Sequence, residues 1–351
     1  MSLSFLITLL VIFITIAIYL IVDNQKNKGR MKPSVPKTPS PTIPLPTSND
    51  TNSGVETGSN DVNTGAAAVY NDRKGYDSGF VSTKDFSIPL SDLLKNQVSK
   101  LTPLDNPQPT NKYYLKYHHF SVVMHKERKM PFMTAVNIDG AKLVPIKRTS
   151  DSWHYDPRIP KTAQLPKAYY AANDLDLGHL VRRLDPDWGD IALKADDDTF
   201  HLTVCAPQHK NLNRVTWLSL EDYILENTDV EDLKVSVFTG PVFTNNDYLF
   251  HDVLLPLQFW KMVAIIKSNG KPSVTAYLLS HAQDIEKMQI RGLIGDEGFS
   301  EYKTYQISLH KLADLTHLHL DNLYNYDPLS GQRGLLEASH KEINSMEDLK
   351  L

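Results

Sequence analysis

An uncharged, predominantly apolar run extends from Leu3 to Val22, and a long polar stretch follows, so the pattern divides the chain before any motif is considered. The run, LSFLITLLVIFITIAIYLIV, is uncharged over about 20 residues, enough for a helix to cross the roughly 30 Å of a bilayer core. It lacks the basic start, short apolar region and small-residue cleavage site of a signal peptide, so residues 1–22 are expected to be a single transmembrane anchor. Residues 23–68 are rich in Pro, Ser, Thr, Asn and Gly and poor in large apolar side chains. Such a segment buries too little surface to offset its ordering entropy, which predicts a disordered tether.

Globular patterning starts near Val69 and is expected to hold a domain over 69–335, with a charged, frayed tail over 336–351. Pro89 and the spacing of Leu93, Leu94 and Val98 predict a helix over Ser91–Lys100. HHFSVVMH and PFMTAVNID predict two strands around the basic turn KERK, and LVPIKR a third. The alternation of Phe200, Leu202 and Val204 predicts a strand over DTFHLTVC that leads into a turn at APQ. A helix follows, with Trp217, Leu220 and Ile224 on one face. LKVSVFTGPVF predicts a strand broken at Gly240-Pro241, and FWKMVAIIK with SVTAYLL a hairpin turning at Ser268–Lys271. TYQISLHKLADLTHLHLDNL predicts a strand and then a helix. Neighbouring strands joined by short turns indicate an α+β fold, a central antiparallel sheet flanked by helices, rather than a βαβ repeat.

Composition changes this picture little. At 351 residues with 41% hydrophobic side chains the chain can bury a large core, and a formal net charge of −4 argues against a protein that coats nucleic acid with positive charge. Cys205 is the single cysteine, which excludes an internal disulfide framework and a cysteine-rich zinc site.

Candidate chemistry concentrates between Leu175 and Glu221. His179 follows a glycine at a strand end, beside Arg182 and Arg183, with Asp176 nearby to orient the ring or the turn. Alone it reads as a half-buried polar residue; beside two arginines that can engage phosphate it reads as a general base. Asn213 opens the amphipathic helix, either as its N-cap or as a metal ligand. Glu221, eight residues later, stands roughly 12 Å along the axis, so a shared magnesium ion would meet it through water. Two strands and a helix clasping one ion suit phosphodiester cleavage: histidine deprotonates water, and the ion and an arginine stabilise developing charge.

The segments DLGHLVRR, DTFHLTVCAPQHKNLNRVTWLSLE and VFTGPVF resemble the DNA/RNA non-specific endonucleases of the ββα-metal class, a group that includes secreted bacterial nucleases and mitochondrial endonuclease G. The resemblance continues through RKGYD, FSVVMHKERKMPFMTAVNIDG and WHYDPRIP upstream and through FWKMVAIIK and TYQISL downstream, about Arg73 to Leu320 in all. It implies the ββα-metal endonuclease fold, with His179 as general base, Asn213 as direct Mg2+ ligand, Glu221 as water-mediated ligand and Arg148 as a stabiliser of the transition state. Mn2+ is the alternative ion. The implied substrates are DNA and RNA, held through the phosphate backbone and cut to leave 5′-phosphate ends, and a homodimer is compatible with it. Two positions depart from the pattern: Leu177 stands where the family has arginine in D-R-G-H, and Val204 where it often has asparagine. Arg182 or Arg183 would then have to compensate, or the chain is a membrane-tethered nucleic-acid-binding protein with impaired catalysis.

Topology is in conflict. Lys26, Lys28, Arg30 and Lys32 follow the apolar run and favour a cytoplasmic domain. A non-specific nuclease facing the cytosol would threaten the cell's own nucleic acid, so the expectation is a single-pass membrane protein with its domain extracellular, periplasmic or in an organelle lumen.

Overall fold

A computed structural model of the chain describes residues 69–148, 152–171, 173–210, 212–213, 220–221, 224, 233–282, 304–330 and, for the backbone, 340–343. The apolar run over Leu3–Val22 and the tether lie outside the described residues. Among the described residues no helix is long and apolar enough to cross a membrane. The expected single-pass membrane localisation is corrected on that finding.

The fold is mixed α/β around a large antiparallel sheet. Eight strands lie in the order β1 (Tyr114–Lys116), β2 (Phe120–Met124), β3 (Pro131–Asp139), β6 (Lys234–Val242), β9 (Gln258–Ile266), β10 (Pro272–Ser280), β11 (Thr304–Ile307) and β12 (His340–Ile343). Two small sheets join β4 (Leu175–His179) to β5 (Cys205–His209) and β7 (Tyr248–Phe250) to β8 (Val253–Leu255). The central strands β3, β6, β9 and β10 are buried on both faces, which is why they read as nearly continuous apolar runs.

Alternation along these strands supplies a core on each side. Along β9, Trp260, Met262 and Ala264 face a core completed by α1 (Leu90–Leu94), through Leu93 and Leu94, and α2 (Leu309–Thr316), through Leu309 and Leu312. Phe259, Val263 and Ile265 face the opposite core, which takes in Leu175, Leu180, Val181, Val204, Ala206, Leu212, Leu220 and Ile224. The β4–β5 unit and the helix after it are therefore carried on that second face. Lys261 shares the parity of Phe259 and Val263, so it points the same way.

Several expectations are met. The β9–β10 hairpin turns where Lys267 N donates to Lys271 O and Gly270 takes a φ of +77°. The strand-then-helix order near the C-terminus is β11 and α2. Others are corrected. The helix expected over Ser91–Lys100 ends at Leu94, and a short 3-10 turn follows at Val98–Lys100 because the buried Gln97 side chain donates to His317 O across the fold. LVPIKR is not a strand, contributing one bridge between Leu143 and Trp188. The Gly240-Pro241 pair does not break β6; Gly240 is required because a Cβ there would lie 2.7 Å from Phe132 O and 2.9 Å from the Trp260 ring. β12 falls inside the tail expected to fray and pairs with β11.

Candidate active site

The stretch DTFHLTVC is not the strand its alternation suggests. Leu202–Val204 form a 3-10 turn, and the strand is Cys205–His209, running through the expected turn at Ala206-Pro207-Gln208. Alternation fails as a guide because polar His201 and Thr203 are as buried as their apolar neighbours; His201 accepts from Tyr70 and Thr203 meets the Tyr117 hydroxyl. β5 pairs antiparallel with β4 in the register Asp176 with Gln208, Gly178 with Ala206 and His179 with Cys205. Gly178 has no alternative here. A Cβ would fall 2.1 Å from Gln208 Oε1 and 2.3 Å from its Cδ, so only glycine lets this side chain lie across β4.

His179 ends β4 with its ring between two aromatic walls. Trp153 lies 4.8 Å away between ring centroids and Phe200 5.8 Å, edge-on. Arg148, exposed, holds its guanidinium 6.0 Å from the Phe200 centroid, one ring removed from the histidine. Of the residues between β5 and β6, Lys210, Leu212, Asn213, Leu220, Glu221 and Ile224 are described with helical backbone, and Leu212, Leu220 and Ile224 are buried. Trp217, expected on the apolar helix face, lies outside the described residues.

Asn213 donates from Nδ2 to Asp176 Oδ2 at 3.1 Å. A carboxylate only accepts, so this contact sets the amide orientation and directs Oδ1, the atom able to bind a cation, away from Asp176. Among the described residues no group of three or more His, Cys, Asp or Glu side chains could hold a metal ion. A donor set of one amide oxygen completed by water fits Mg2+, which keeps several waters, better than a metal needing a full protein cage.

Glu221 is buried and paired with Lys261, Nζ to Oε1 at 3.4 Å, while the same ammonium donates to Thr239 Oγ1 at 3.2 Å. Arg182 donates from Nη1 to the Glu221 carbonyl oxygen at 3.0 Å and so fixes the helix to the segment after His179. Asp185, buried beside these groups, is pushed up to about 7 by burial and by Glu221, against the pull of Lys261 and Arg182.

A family model described as DNA/RNA non-specific endonuclease matches residues 97–327. The chain belongs to that family. An uncharacterized protein, y4fB, of Sinorhizobium fredii is 36% identical over 281 residues, covering 76% of this chain and 41% of that protein. Mitochondrial endonuclease G of Bos taurus is 29% identical over 147 residues, covering 38% of this chain and 48% of that protein. A nuclease of Nostoc is 25% identical over 224 residues, covering 62% and 74%. The chain thus spans less than half the length of the first two of these relatives. A chain from a crystal structure of the EndoG/EndoGI complex superposes with a TM-score of 0.46 at 15% identity, covering 58% of this chain and 84% of that one.

Within this endonuclease-family chain the structure gathers His179, Arg148, Trp153 and Phe200 into one cluster, Asp176 with Asn213 into a second, and Arg182, Glu221, Lys261 and Asp185 into a third. Arg183 is held elsewhere, by Asp196, by Ile146 O at 3.1 Å and by Asp187 at 3.9 Å. Asp176, expected to orient the His179 ring or the turn, accepts from the Asn213 amide. Cys205 is buried, and burial pushes its thiol up to about 12, so it is an inert core residue. His118 is buried against Asp198 at 2.8 Å, and His119 stacks on Trp188 at 3.4 Å between centroids. They line a cavity of about 440 Å³ with Asp72, Lys74, Phe80 and Trp188, which includes neither His179 nor Asn213. Lys261 and Trp153 were not singled out as site residues in the sequence; the signal for Lys261 was a lysine inside the apolar run FWKMVAIIK, and for Trp153 its place in WHYDPRIP.

Proposed function

We propose that the chain is a magnesium-dependent, sequence-non-specific endonuclease of the ββα-metal class that hydrolyses phosphodiester bonds of DNA and RNA. The observation that supports this reading most is the unit of β4, β5 and the following helix. It presents His179 between Trp153 and Phe200 and holds Asn213 by Asp176.

In this reading His179 takes the proton from the attacking water, and the aromatic walls hold its ring in place. Asn213, through Oδ1, and Glu221, through water, would hold the ion. A bound Mg2+ would supply Lewis-acid stabilisation of the charged phosphorane and the leaving oxygen. Arg148 is exposed, with its guanidinium over Phe200, and in this reading it engages the phosphate. Arg182, tied to the Glu221 carbonyl, positions the helix.

A second reading, a nucleic-acid-binding protein of the same fold with impaired catalysis, is favoured by Leu177. This side chain is partly buried and packs on the core where the family carries arginine. One assay separates the two: incubate the full chain with plasmid DNA and with RNA, with Mg2+ or with chelator, alongside His179→Ala. The nuclease reading expects metal-dependent cleavage of both substrates that the variant loses. Salt-sensitive binding without cutting supports the second reading, and cleavage that survives His179→Ala overturns the first.

A further inference from the structure

The cavity of about 440 Å³ that includes neither His179 nor Asn213 is lined by residues of the segment RKGYDSGF, by His119 between β1 and β2, and by Trp188. Its size falls within the roughly 300–1,000 Å³ of small-molecule sites. We propose that it binds a nucleotide whose base carries an exocyclic amino group, with the base against the Trp188, His119 and Phe80 rings, the amino group on Asp77 and His119, and the phosphate on Lys74.

One wall is aromatic and already set. His119 and Trp188 stack at 3.4 Å between centroids and 8° between planes, and Phe80 lies 5.5 Å from Trp188 at 31°. Trp188 Nε1 donates to Asn137 O at 2.8 Å, which fixes the indole. Base–aromatic stacking serves any base, because every base has a π-face, so the rings supply affinity and the polar groups must supply the choice. A cationic ligand fits this wall less well, since Lys234 Nζ already stands 5.1 Å over the Phe80 ring.

The polar groups are two fixed acceptors. His119 Nδ1 lies 2.8 Å from Pro186 O, and a carbonyl only accepts, so the proton sits on Nδ1 and Nε2 keeps its lone pair. Burial brings this ring down to about 4, so it is neutral near pH 7. Its backbone has a φ of +67°, a conformation that non-glycine residues seldom hold and that gathers at functional sites. Asp77 is clamped by the buried Asn137 side chain: its N–H donates to Oδ1 at 2.7 Å and its carbonyl accepts from Nδ2 at 3.3 Å. Gly79 N donates to Asp77 Oδ1 at 2.8 Å, and Oδ2 has no partner among the described residues. An amino group brings two N–H donors to these acceptors, whereas a carbonyl would meet lone pairs.

The cations divide unequally. Lys194 is 3.5 Å from Asp72, which also pairs with Arg73 at 3.0 Å, so their charges are largely balanced. Lys74 has no ion-pair partner among the described residues and is left for a phosphate. Gly75, with a φ of +81°, donates from N to Tyr117 O at 2.9 Å, and Tyr76 N donates to Ser121 Oγ at 2.9 Å. These bonds tie the segment to the sheet between Lys74 and Asp77. A free nucleotide and an unpaired nucleotide of a strand share this chemistry, and neither requires that the chain cleave.

The test is calorimetric titration of the full chain in chelator with AMP, with purine riboside 5′-monophosphate, which lacks only the amino group, and with ribose 5-phosphate. The expected result is one AMP per chain, held about tenfold more tightly than the purine riboside compound, the worth of one hydrogen bond to a charged acceptor, with ribose 5-phosphate weaker still. Asp77→Asn, at an exposed position, is expected to erase the preference for AMP, because its amide can donate as well as accept. Lys74→Ala, also exposed, is expected to weaken AMP binding about tenfold, and His179→Ala to leave it unchanged. Absence of AMP binding, equal binding of AMP and the purine riboside compound, binding that Asp77→Asn and Lys74→Ala both leave intact, or binding that His179→Ala abolishes overturns the proposal. A thymidine octamer holding one adenine, read by fluorescence anisotropy, identifies the source: binding tighter than AMP assigns the site to an unpaired base of a strand, and weaker binding assigns it to a free nucleotide. None of these readouts depends on cleavage of nucleic acid.

Discussion

The Asn213 amide and the Asp176 carboxylate face each other at 3.1 Å, nitrogen to oxygen, so the charge on β4 determines which atom of the asparagine is offered to a cation. Replacing Asp176 by Asn removes the preference, because an amide can donate or accept and lets Asn213 turn over. Asp176→Asn is therefore expected to raise the Mg2+ concentration needed for half-maximal cleavage by about 10–100-fold, the usual cost of losing an outer-sphere partner. Thermal stability should change little. A cleavage curve against Mg2+ that overlays the parent would show that Asp176 does not orient the ligand.

Gly178 and Gln208 make a second pair that can be tested as a pair. A Cβ at position 178 meets the Gln208 side chain at 2.1–2.6 Å, closer than any relaxed contact. Gly178→Ala is expected to cost about 1–3 kcal/mol, the range for overpacking a filled site. In the double variant Gly178→Ala/Gln208→Ala most of that cost should disappear, because the clash is with the far part of one side chain. Urea unfolding of the four proteins gives the coupling; additive losses would place the strain in the backbone instead.

These two pairs also show what was legible in the sequence. Glycine before His179 announced a close approach, but the approaching group, Gln208, is 30 positions away and only the pairing of β4 with β5 brings it there. Strands β2, β3, β9 and β10 were readable because apolar runs ended at recognisable turns. β5 was placed too early because its approach, Phe200–Val204, alternates in sequence while burying both sets of side chains, the polar ones on hydrogen bonds with Tyr70 and Tyr117. His179 and Asn213 came from local motifs. Trp153, Asp185 and Lys261 reach their groups only through tertiary packing, and no local spacing marks that.

Leu177 tests the departure from the family pattern. It lies beside His179 on β4 and is only partly buried, so a longer side chain has a route to solvent. Leu177→Arg is expected to strengthen nucleic-acid binding and to steepen the logarithmic salt dependence by about 1, the signature of one added phosphate contact. Fluorescence anisotropy at several salt concentrations reads this directly. An unchanged slope would mean that position 177 does not face the phosphate.

Asp185 predicts how stability depends on pH. In the unfolded chain its carboxyl titrates near the ordinary value of 3.8, whereas burial in the folded protein raises it to about 7. Between those values the folded state binds more protons than the unfolded one, so stability falls as pH rises and the loss is complete above the folded value. Asp185→Asn removes the titration and should gain on the parent at about pH 8 relative to about pH 5, by at most about 3 kcal/mol. Denaturant unfolding at both pH values measures it, and parallel shifts would assign the slope to other groups.

Lys261 and Glu221 form the pair in which a structural role and a metal role make opposite predictions. Their side chains are 1% and 7% exposed and 3.4 Å apart, so removing one member leaves the other charged inside the core. Lys261→Met is expected to lower stability by about 3–5 kcal/mol, the range for breaking a buried pair. The same change frees Glu221 from a competing cation, so at a temperature where the variant is folded its Mg2+ requirement should fall or hold. Glu221→Gln removes the charge that would attract a hydrated ion, and its Mg2+ requirement should rise about tenfold. Opposite movements of the Mg2+ curve in the two variants would give Glu221 a part in holding the ion. Equal movements, tracking stability, would make the pair a strut beneath the helix that carries Asn213.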